Sequence, residues 1–175
     1  PGCITLYGKL EDRFGNNGVV SVVYGHFGKG EAEDIGPKSD REAAGGGKTG
    51  IAAREEKDSA AAGEGNPHGG AESFHIDLWL MSCRVLKRGM EFAMMYALVK
   101  ECLERDAREV FGYYYPTAKN RMVKDFYALQ GFDKILEDEA GNSVWRLDLC
   151  GGYETKNHVI KVEEKQDEDD KGKRI

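Results

Sequence analysis

Residues 74–102 read FHIDLWLMSCRVLKRGMEFAMMYALVKEC, and three patterns follow one another in this stretch. Over 74–80 every second residue is apolar, which predicts a β-strand with one apolar face. Residues 83–89 are basic and end in glycine, as is typical of a turn. From Met90 onwards apolar residues recur at i, i+3 and i+4, so we expect a long helix that is buried over much of its girth.

Shorter patterns extend this unit in both directions. Further strands are predicted over 4–10, 19–24, 109–115, 132–137 and 144–149. Asn17-Gly18 is expected to form a tight hairpin turn between the first two strands. A second helix is predicted over 118–130, because Thr117 suits its N-cap and Gly131 its left-handed end. This order of elements predicts an α+β (mixed α/β) fold, with helices packed on a central mixed sheet.

Residues 31–72 differ in composition from the rest of the chain. They contain no Phe, Trp or Tyr, and Ile35 and Ile51 are their only large aliphatic residues. Such a segment cannot bury enough apolar surface to offset its ordering entropy, so we expect a disordered low-complexity insert. We therefore expect one domain over 1–160, interrupted by this insert, and a charged tail over 161–175. The strands that flank the insert should be neighbours, since a long loop adds little closure entropy.

Charge and cysteine content argue against several classes of function. The formal net charge is −6, and most of the excess acid lies in the insert and the tail. No basic stripe with interleaved aromatic residues is present, so we expect no nucleic-acid partner. No apolar run approaches the ~18–20 residues of a membrane span, so no membrane association is expected. The four cysteines lie far apart without metal-ligand spacing, so we expect no metal site and a reducing, cytoplasmic location.

The turn before the long helix combines the features of an anion site. A helix N-terminus presents backbone N–H groups and the positive end of its dipole. Arg84, Lys87 and Arg88 add three cations, and Gly89 lets the backbone approach a ligand closely. The alternative interpretation is a solvated basic turn of the kind that commonly precedes a helix.

Several strings carry a family resemblance. Residues 88–93 (RGMEFA) are similar to the R-G-x-G-x-A turn of the GNAT acyltransferases, although Glu91 replaces the middle glycine. The later spacing N-x5-F-Y-x3-G-F, from Asn120, is similar to the helix that follows in that superfamily. The strings DRFGNNG, MSCRVLKRG and YPTAKN more closely resemble the C-terminal GNAT-like acyltransferase domain of FkbH-like proteins of HAD superfamily IIIC. This resemblance covers nearly all of the chain outside the insert and the tail.

The resemblance implies a fold in which two parallel strands, here 74–82 and 109–115, splay apart and hold a pantetheine arm. The arm would belong to coenzyme A or to the phosphopantetheine of an acyl carrier protein. The implied function is transfer of a short, glyceryl-type acyl group between thioesters. The implied partners are the acyl carrier protein and a HAD-type phosphatase domain, whose nucleophile motif this chain lacks. Two alternatives stay open, namely an acetyl-coenzyme A-dependent N-acetyltransferase and a non-catalytic module that docks the carrier protein.

The resemblance also implies roles for individual residues. Cys83 would be the nucleophile that accepts the acyl group, because Arg84 and a helix N-terminus would lower its thiol pKa; otherwise it is a small buried hydrophobe. Tyr127 would protonate the leaving thiolate, or would be a core aromatic residue. Asn120 would hydrogen-bond backbone at the cleft, or would face solvent. The phosphate end of the arm would be held by Ser82, Arg84, Lys87, Arg88, Gly89 and Met90.

Overall fold

The computed structural model describes residues 2–29 and 73–163 and, beyond these, two strands of two residues each. The insert predicted over 31–72 lies outside the described residues. The elements in chain order are β1 (Cys3–Asp12), β2 (Gly15–Gly28), β3 (Ser73–Met81), α1 (Met90–Leu103), β4 (Glu109–Tyr114), α2 (Phe126–Gln130), β5 (Asp133–Glu137), β6 (Ser143–Asp148), β7 (Lys165–Gln166) and β8 (Lys173–Arg174).

The strands form one sheet in the order β5-β6-β4-β3-β2-β1-β8-β7. Neighbouring strands in the main part of the sheet are antiparallel, except that β3 and β4 are parallel. A parallel pair requires a long crossover, and α1 provides it. The sheet is therefore mixed and carries packed helices, which confirms the predicted α+β fold.

Helix α1 supplies much of the hydrophobic core. It begins at Met90, as predicted, and its buried side chains include Met94 and Leu98. Gly8 of β1 lies directly beneath the start of the helix, because a methyl group there would overlap Met90 and Met94. This close approach holds the first turn of α1 against β1 and fixes the position of the preceding turn, residues 83–89.

The hairpin between β1 and β2 reverses earlier than predicted. Asp12 pairs with Gly15, and Asp12 Oδ1 accepts a hydrogen bond from the backbone N–H of Phe14 at 2.8 Å. This side-chain-stabilised turn provides the reversal. The prediction of a turn at Asn17-Gly18 was wrong, because Gly18 lies within β2 next to an irregularity in register. Gly18 has a positive φ of 69° at this irregularity rather than in a hairpin turn.

The strands on either side of the predicted insert pair with each other, as expected. In the antiparallel pairing of β2 with β3, Phe27 lies opposite Phe74 and Gly28 lies opposite Ser73. The rings of Phe27 and Phe74 meet edge to face with centroids 5.0 Å apart. The chain therefore leaves the sheet and re-enters it at adjacent positions.

The second helix is shorter than predicted. Only Phe126–Gln130 of the range 118–130 is α-helical. The Asn120 side chain accepts a hydrogen bond from the backbone N–H of Thr117 at 2.7 Å and donates one to the Tyr115 carbonyl at 2.8 Å. These bonds hold the chain in a turn where a helix was expected, because local side-chain bonds to backbone compete with helix formation.

Candidate active site

Strands β3 and β4 pair only where they begin. Their pairing covers three residue pairs, the last of which is His75–Phe111. Beyond that pair β3 stays paired with β2, whereas β4 stays paired with β6, so the two strands separate. We call the His75–Phe111 position the vertex. The predicted splayed strands are present.

A bulge in β3 accompanies the separation. The register of β3 against β2 changes between Tyr24 and Gly25, which leaves Asp77 as the extra residue. Gly25 allows the two strands to approach closely here, because a methyl group would overlap the His75 carbonyl oxygen and the Phe74 ring. Bulges re-aim side chains, and the Asp77 side chain lines the space next to the vertex.

The space between the diverging strands is a cleft of about 610 Å³. This volume is typical of small-molecule sites. The walls are mostly aromatic and aliphatic and include Leu78, Trp79, Leu80, Tyr113, Tyr115 and Phe126. Backbone groups on the strand edges that face the cleft do not pair across it. An extended ligand that carries amides can therefore hydrogen-bond to these edges.

A second space of about 380 Å³, which we call the outer groove, continues the cleft beyond the end of β3. The two spaces form one channel, because both are lined by Cys83, Leu86, Met122, Val123 and Phe126. Glu91 and Gln130 also line the outer groove. Among the described residues, Oε2 of Glu91 and both amide atoms of Gln130 are buried without a hydrogen-bond partner. A polar ligand or water in the groove would satisfy them.

Cys83 lies where the cleft and the outer groove meet. Its side chain is exposed, and it lines both the cleft and the outer groove. The six residues 84–89 separate it from Met90, where α1 begins, so the expected position of Cys83 directly before the helix N-terminus was wrong. From the vertex to its end at Met81, β3 extends roughly 20 Å at ~3.3 Å per residue. Cys83 is therefore far from Asp77, which lies next to the vertex.

The start of α1 borders the outer groove. Gly89 is the N-cap of the helix and has a left-handed backbone with φ of 91°. Lys87 is also left-handed, with φ of 62°, and its side chain lines the groove. Met90 is buried, so it can offer a ligand only its backbone N–H. The first backbone N–H groups of α1 and the Lys87 side chain thus border the outer groove, with the Glu91 carboxylate beside them.

The two arginines of the turn make contacts within the protein. Arg84 Nε donates a hydrogen bond to Ser82 Oγ at 3.4 Å. Arg88 forms an ion pair with Asp12 at 3.6 Å and lines a separate cavity of about 690 Å³. The backbone N–H of Phe14 and the Arg88 guanidinium hold the pKa of Asp12 below its usual value. Arg88 is therefore engaged with Asp12 of β1, and it does not line the outer groove.

Tyr127 packs against β4 next to the vertex. Its ring covers Gly112, where a methyl group would overlap it, and it contacts Phe126 and Phe132 at centroid distances of 5.2 and 5.1 Å. Burial raises the pKa of the Tyr127 phenol, against an opposing hydrogen bond from the Tyr113 backbone. Tyr127 also lines the cleft. It is thus a core residue whose hydroxyl stays protonated at neutral pH beside the cleft.

Asn120 stabilises the loop that follows β4. Its Oδ1 accepts hydrogen bonds from the Thr117 backbone at 2.7 Å and from the Tyr114 hydroxyl at 3.3 Å. Its Nδ2 donates to the Tyr115 carbonyl at 2.8 Å. Asn120 lines the cleft, and its bonds hold Tyr115, which forms part of the wall. The expected hydrogen bonding to backbone is present, and its effect is to shape the cleft.

A polar cluster that the sequence patterns did not indicate lies at the vertex and includes His26 and His75. Asp77 Oδ2 accepts a hydrogen bond from His26 Nδ1 at 2.7 Å. His75 Nδ1 lies 2.8 Å from the Tyr113 hydroxyl, and its Nε2 lies 3.0 Å from Ser73 Oγ. The two imidazole rings stack at 5.2 Å. The alternation of β3 signals that His75 and Asp77 share a face, but the position of His26 depends on pairing across the insert.

The described part of the chain shows neither a metal-binding cluster nor a membrane-spanning helix. Within it, no group of three or more His, Cys, Asp and Glu side chains could hold a metal ion. None of the helices in these ranges has both the length and the apolar character that crossing a bilayer requires. Of the four free cysteines, Cys102 is buried and Cys3, Cys83 and Cys150 are exposed.

Several solved structures are similar to this chain at low sequence identity. A protein from Desulfovibrio desulfuricans assigned to the GNAT family of acetyltransferases is 11% identical, with a TM-score of 0.47 over 81% of this chain and 65% of that one. An acetyltransferase from Thermus thermophilus is 16% identical, with a TM-score of 0.43 over 76% and 58%. The GNAT domain of S. lividans PAT is 16% identical, with a TM-score of 0.45 over 75% and 55%.

The chain spans less than two thirds of the length of each of these three structures. No protein-family model matches the chain, and no curated protein is significantly similar to it. The geometry of the channel, rather than these similarities, carries the functional inference.

Proposed function

We propose that this chain is a GNAT-type acyltransferase domain that binds a pantetheine thioester between β3 and β4 and transfers its acyl group. The separation of the two strands directly after the His75–Phe111 pair carries the proposal. An extended arm with two amides can hydrogen-bond to strand edges that do not pair across the cleft. The aromatic and aliphatic walls shield its methylene groups from water.

Filling the cleft tests this binding mode. Leu80 lines the cleft, so Leu80→Trp is expected to abolish the binding of coenzyme A and of pantetheine, measured by isothermal titration calorimetry. Leu136→Trp is the matched control, because Leu136 is a half-exposed leucine on β5, away from the cleft. We expect this control to bind both compounds as the wild type does. The proposal fails if the wild type binds neither compound.

The finer proposal follows the resemblance to FkbH-like proteins. In this proposal the arm is the phosphopantetheine of an acyl carrier protein, and the transferred group is a glyceryl-type acyl unit. A HAD-type phosphatase domain is a further partner. The Cys83 thiolate would attack the thioester carbonyl, a new C–S bond would form, and the carrier thiolate would leave and take up the proton given up by Cys83. A second carrier thiol would reverse these steps. The exposed position of Cys83 in both parts of the channel supports this route.

Mass spectrometry of a Cys83→Ser variant tests the covalent route. After incubation with an acylated carrier protein, we expect the intact wild-type chain to gain the mass of one acyl group. Cys83→Ser should gain none, because a serine hydroxyl is a far weaker nucleophile than a thiolate. Cys150→Ser, which removes another exposed cysteine, should still be acylated.

Two other outcomes would point elsewhere. If the wild type gains no acyl mass, and acyl transfer from acetyl-coenzyme A persists in Cys83→Ser, transfer is direct and the covalent route is wrong. If no thioester reacts while the carrier protein binds, the chain is a docking module without catalysis.

Direct transfer from acetyl-coenzyme A is the second candidate function, and the length of the channel favours it. An arm whose phosphate lies at the start of α1 presents its thioester near the vertex, since β3 separates the two ends by roughly 20 Å. Cys83 lies where the cleft meets the outer groove, and is therefore closer to the phosphate end of such an arm than to its thioester. Tyr127, whose buried phenol stays protonated, lies at the thioester end and can protonate the departing thiolate.

Glu91 decides how well the outer groove accepts a phosphate. Its carboxylate oxygen is buried beside the start of α1 without a described partner, so it repels a pyrophosphate there. We expect Glu91→Gln to tighten coenzyme A binding by about tenfold, or ~1.4 kcal/mol. Pantetheine, which lacks phosphates, should bind both proteins equally in the same calorimetric titration. Equal tightening for both compounds would place the effect outside the phosphate site.

A further inference from the structure

Buried polar atoms without a hydrogen-bond partner converge on the channel. Such atoms are rare in folded proteins, and each one requires an explanation. Among the described residues there are five, and four of them belong to residues that line the cleft or the outer groove. The exception is the Tyr153 hydroxyl, which belongs to a residue of a separate surface pocket. The channel therefore carries hydrogen-bonding groups that the described part of the protein leaves unused.

Three of these four atoms belong to residues of the outer groove. Trp79 lines the cleft, where an amide carbonyl of the proposed arm can accept a hydrogen bond from its indole N–H. The other three atoms are Oε2 of Glu91 and the two amide atoms of Gln130, and both residues line the outer groove. Gln130 is only 1% exposed. Because a buried polar atom without a partner is costly, an occupant of the groove that pairs these atoms is stabilised.

Glu91 makes the groove a poor site for an anion. Its carboxylate lies in the first turn of α1, where a negative charge is favourable beside the positive end of the helix dipole. This end of the helix therefore carries its own anion, and a bound phosphate or carboxylate would lie beside a second negative charge. Lys87 also lines the groove, but it is exposed, so solvent and salt screen its charge. These charges disfavour an anionic occupant.

The three unpaired atoms define the hydrogen-bonding pattern of the occupant. Oε1 of Gln130 and Oε2 of Glu91 accept hydrogen bonds, whereas Nε2 of Gln130 donates them. The complement is a group with two N–H donors and one acceptor. An ammonium group would leave Nε2 of Gln130 unpaired, and a carboxylate would leave both acceptors unpaired. A primary carboxamide has two N–H donors and one carbonyl oxygen, so it pairs all three atoms.

The walls of the groove determine what carries this group. They are mostly apolar and include Leu86, Met122, Val123, Phe126 and Leu129. Met122 and Leu129 are exposed by 65% and 62%, so an apolar or aromatic stem in the groove would cover them. The volume of about 380 Å³ lies within the range of small-molecule sites.

We propose that the outer groove is a binding site for a primary carboxamide on an apolar or aromatic stem, held by Gln130 and Glu91. The carboxamide N–H groups donate to Oε1 of Gln130 and to Oε2 of Glu91, and its oxygen accepts from Nε2 of Gln130. The inference goes beyond the proposed function and does not depend on acyl transfer.

Nuclear magnetic resonance of the ¹⁵N-labelled full chain tests the site with benzamide as the probe. We expect benzamide to shift the side-chain NH₂ signal of Gln130 and the backbone N–H signal of Glu91. Benzoate is the matched probe, because it has the same ring but brings a negative charge and no N–H donor. It should leave both signals in place at the same concentration. If benzamide shifts neither signal, or if benzoate shifts them equally, the carboxamide site is overturned.

Two variants test the role of Gln130. Gln130→Met keeps an unbranched side chain but removes both amide atoms, so we expect it to bind benzamide about tenfold more weakly. Its melting temperature should not fall, because a buried polar group without a partner is lost. Tyr153→Phe is the matched control, since it removes the unpaired hydroxyl outside the channel, and it should bind benzamide as the wild type does. Wild-type affinity in Gln130→Met overturns the proposal.

Glu91→Gln tests the selection against anions. The variant keeps an oxygen acceptor but loses the charge, so we expect benzamide to bind a few-fold more weakly and benzoate to begin to bind. Continued exclusion of benzoate would contradict the role given to the Glu91 charge.

Adenosine tests the other source of the same chemistry. The base edge of adenine places an amino group next to a ring nitrogen, which an amide side chain also recognises. Inosine lacks that amino group and is the matched probe. If adenosine shifts the Gln130 signal at lower concentration than benzamide, and inosine does not, the groove binds a nucleobase and the carboxamide assignment is overturned.

The outcomes for this site and for the proposed function are distinct. A wild type that binds benzamide but neither coenzyme A nor pantetheine keeps the carboxamide site and overturns the proposed function. A wild type that binds pantetheine but not benzamide keeps the proposed function and overturns the carboxamide site.

Discussion

Gly25→Ala is expected to destabilise the domain by about 3 kcal/mol or more, the upper range for overpacking of a close-packed site. The added methyl group would overlap the carbonyl oxygen of His75 and the ring of Phe74. A backbone oxygen cannot rotate away as a side chain can, so β2 and β3 would have to separate. The decrease in the free energy of unfolding is measured by urea denaturation monitored with circular dichroism.

Gly151→Ala is the matched control for this change. Gly151 is exposed, and no atom lies within 4 Å of the position that its methyl group would take. We expect it to unfold at the urea concentration of the wild type. An equally stable Gly25→Ala variant would contradict the register of β3 against β2, and with it the bulge at Asp77.

Tyr127→Phe is expected to lower the rate of acyl transfer about 100-fold while leaving the fold intact, if the phenol protonates the leaving thiolate. The ring, which covers Gly112 and contacts Phe126 and Phe132, is retained in phenylalanine. Only the hydroxyl is lost. A phenol carries its proton throughout the neutral range, and burial raises the pKa of this one further. Release of free coenzyme A thiol, followed with a thiol reagent, measures the rate.

Tyr96→Phe on α1 is the matched control, since Tyr96 lines a different surface pocket with Lys100 and Tyr153. It should transfer at the wild-type rate. A Tyr127→Phe variant that is as active and as stable as the wild type would restrict Tyr127 to a packing role. A variant that loses stability together with activity would leave its hydroxyl a structural group, contrary to the expectation.

The local patterns of the chain predict much of this fold. The apolar spacing from Met90 specifies α1, because a periodic face over many residues is a strong signal for a helix. The alternation over 74–80 specifies β3. The single apolar face predicted for this strand was wrong beyond Ile76, because the bulge at Asp77 reverses the alternation and leaves Leu78 and Leu80 exposed. Gly131 ends α2 with φ of 96°, a conformation that few other residues adopt. In each case the cause lies within a few residues of the effect.

The errors arise where two local signals compete. Asn17-Gly18 is a strong hairpin signal, but the Asp12 side chain stabilises a turn at Arg13-Phe14 first. The chain after Pro116 has helical spacing, but Asn120 engages the nearby backbone instead. Residue spacing does not show which of two competing side-chain hydrogen bonds forms, because this depends on their relative free energies in the folded chain.

The candidate site is predicted only in part, because it depends on contacts between distant segments. Cys83, Lys87 and Gly89 follow one another in the sequence, so their neighbourhood could be expected. The bond between His26 and Asp77 joins β2 and β3 across residues that lie outside the described ranges. This bond depends on a single-residue register shift at Gly25, and the residue pattern of neither strand predicts that shift.

Because Gly28 pairs with Ser73, this point of the sheet is a suitable site for inserting another domain. A foreign domain with closely spaced termini can be grafted there without separating the two strands. Ser73 Oγ lies 3.0 Å from His75 Nε2, and His75 contacts the phenol of Tyr113. A movement of Tyr113 on ligand binding would therefore reach the junction through His75 and Ser73, and we expect a fluorescent domain inserted there to respond to occupancy of the channel.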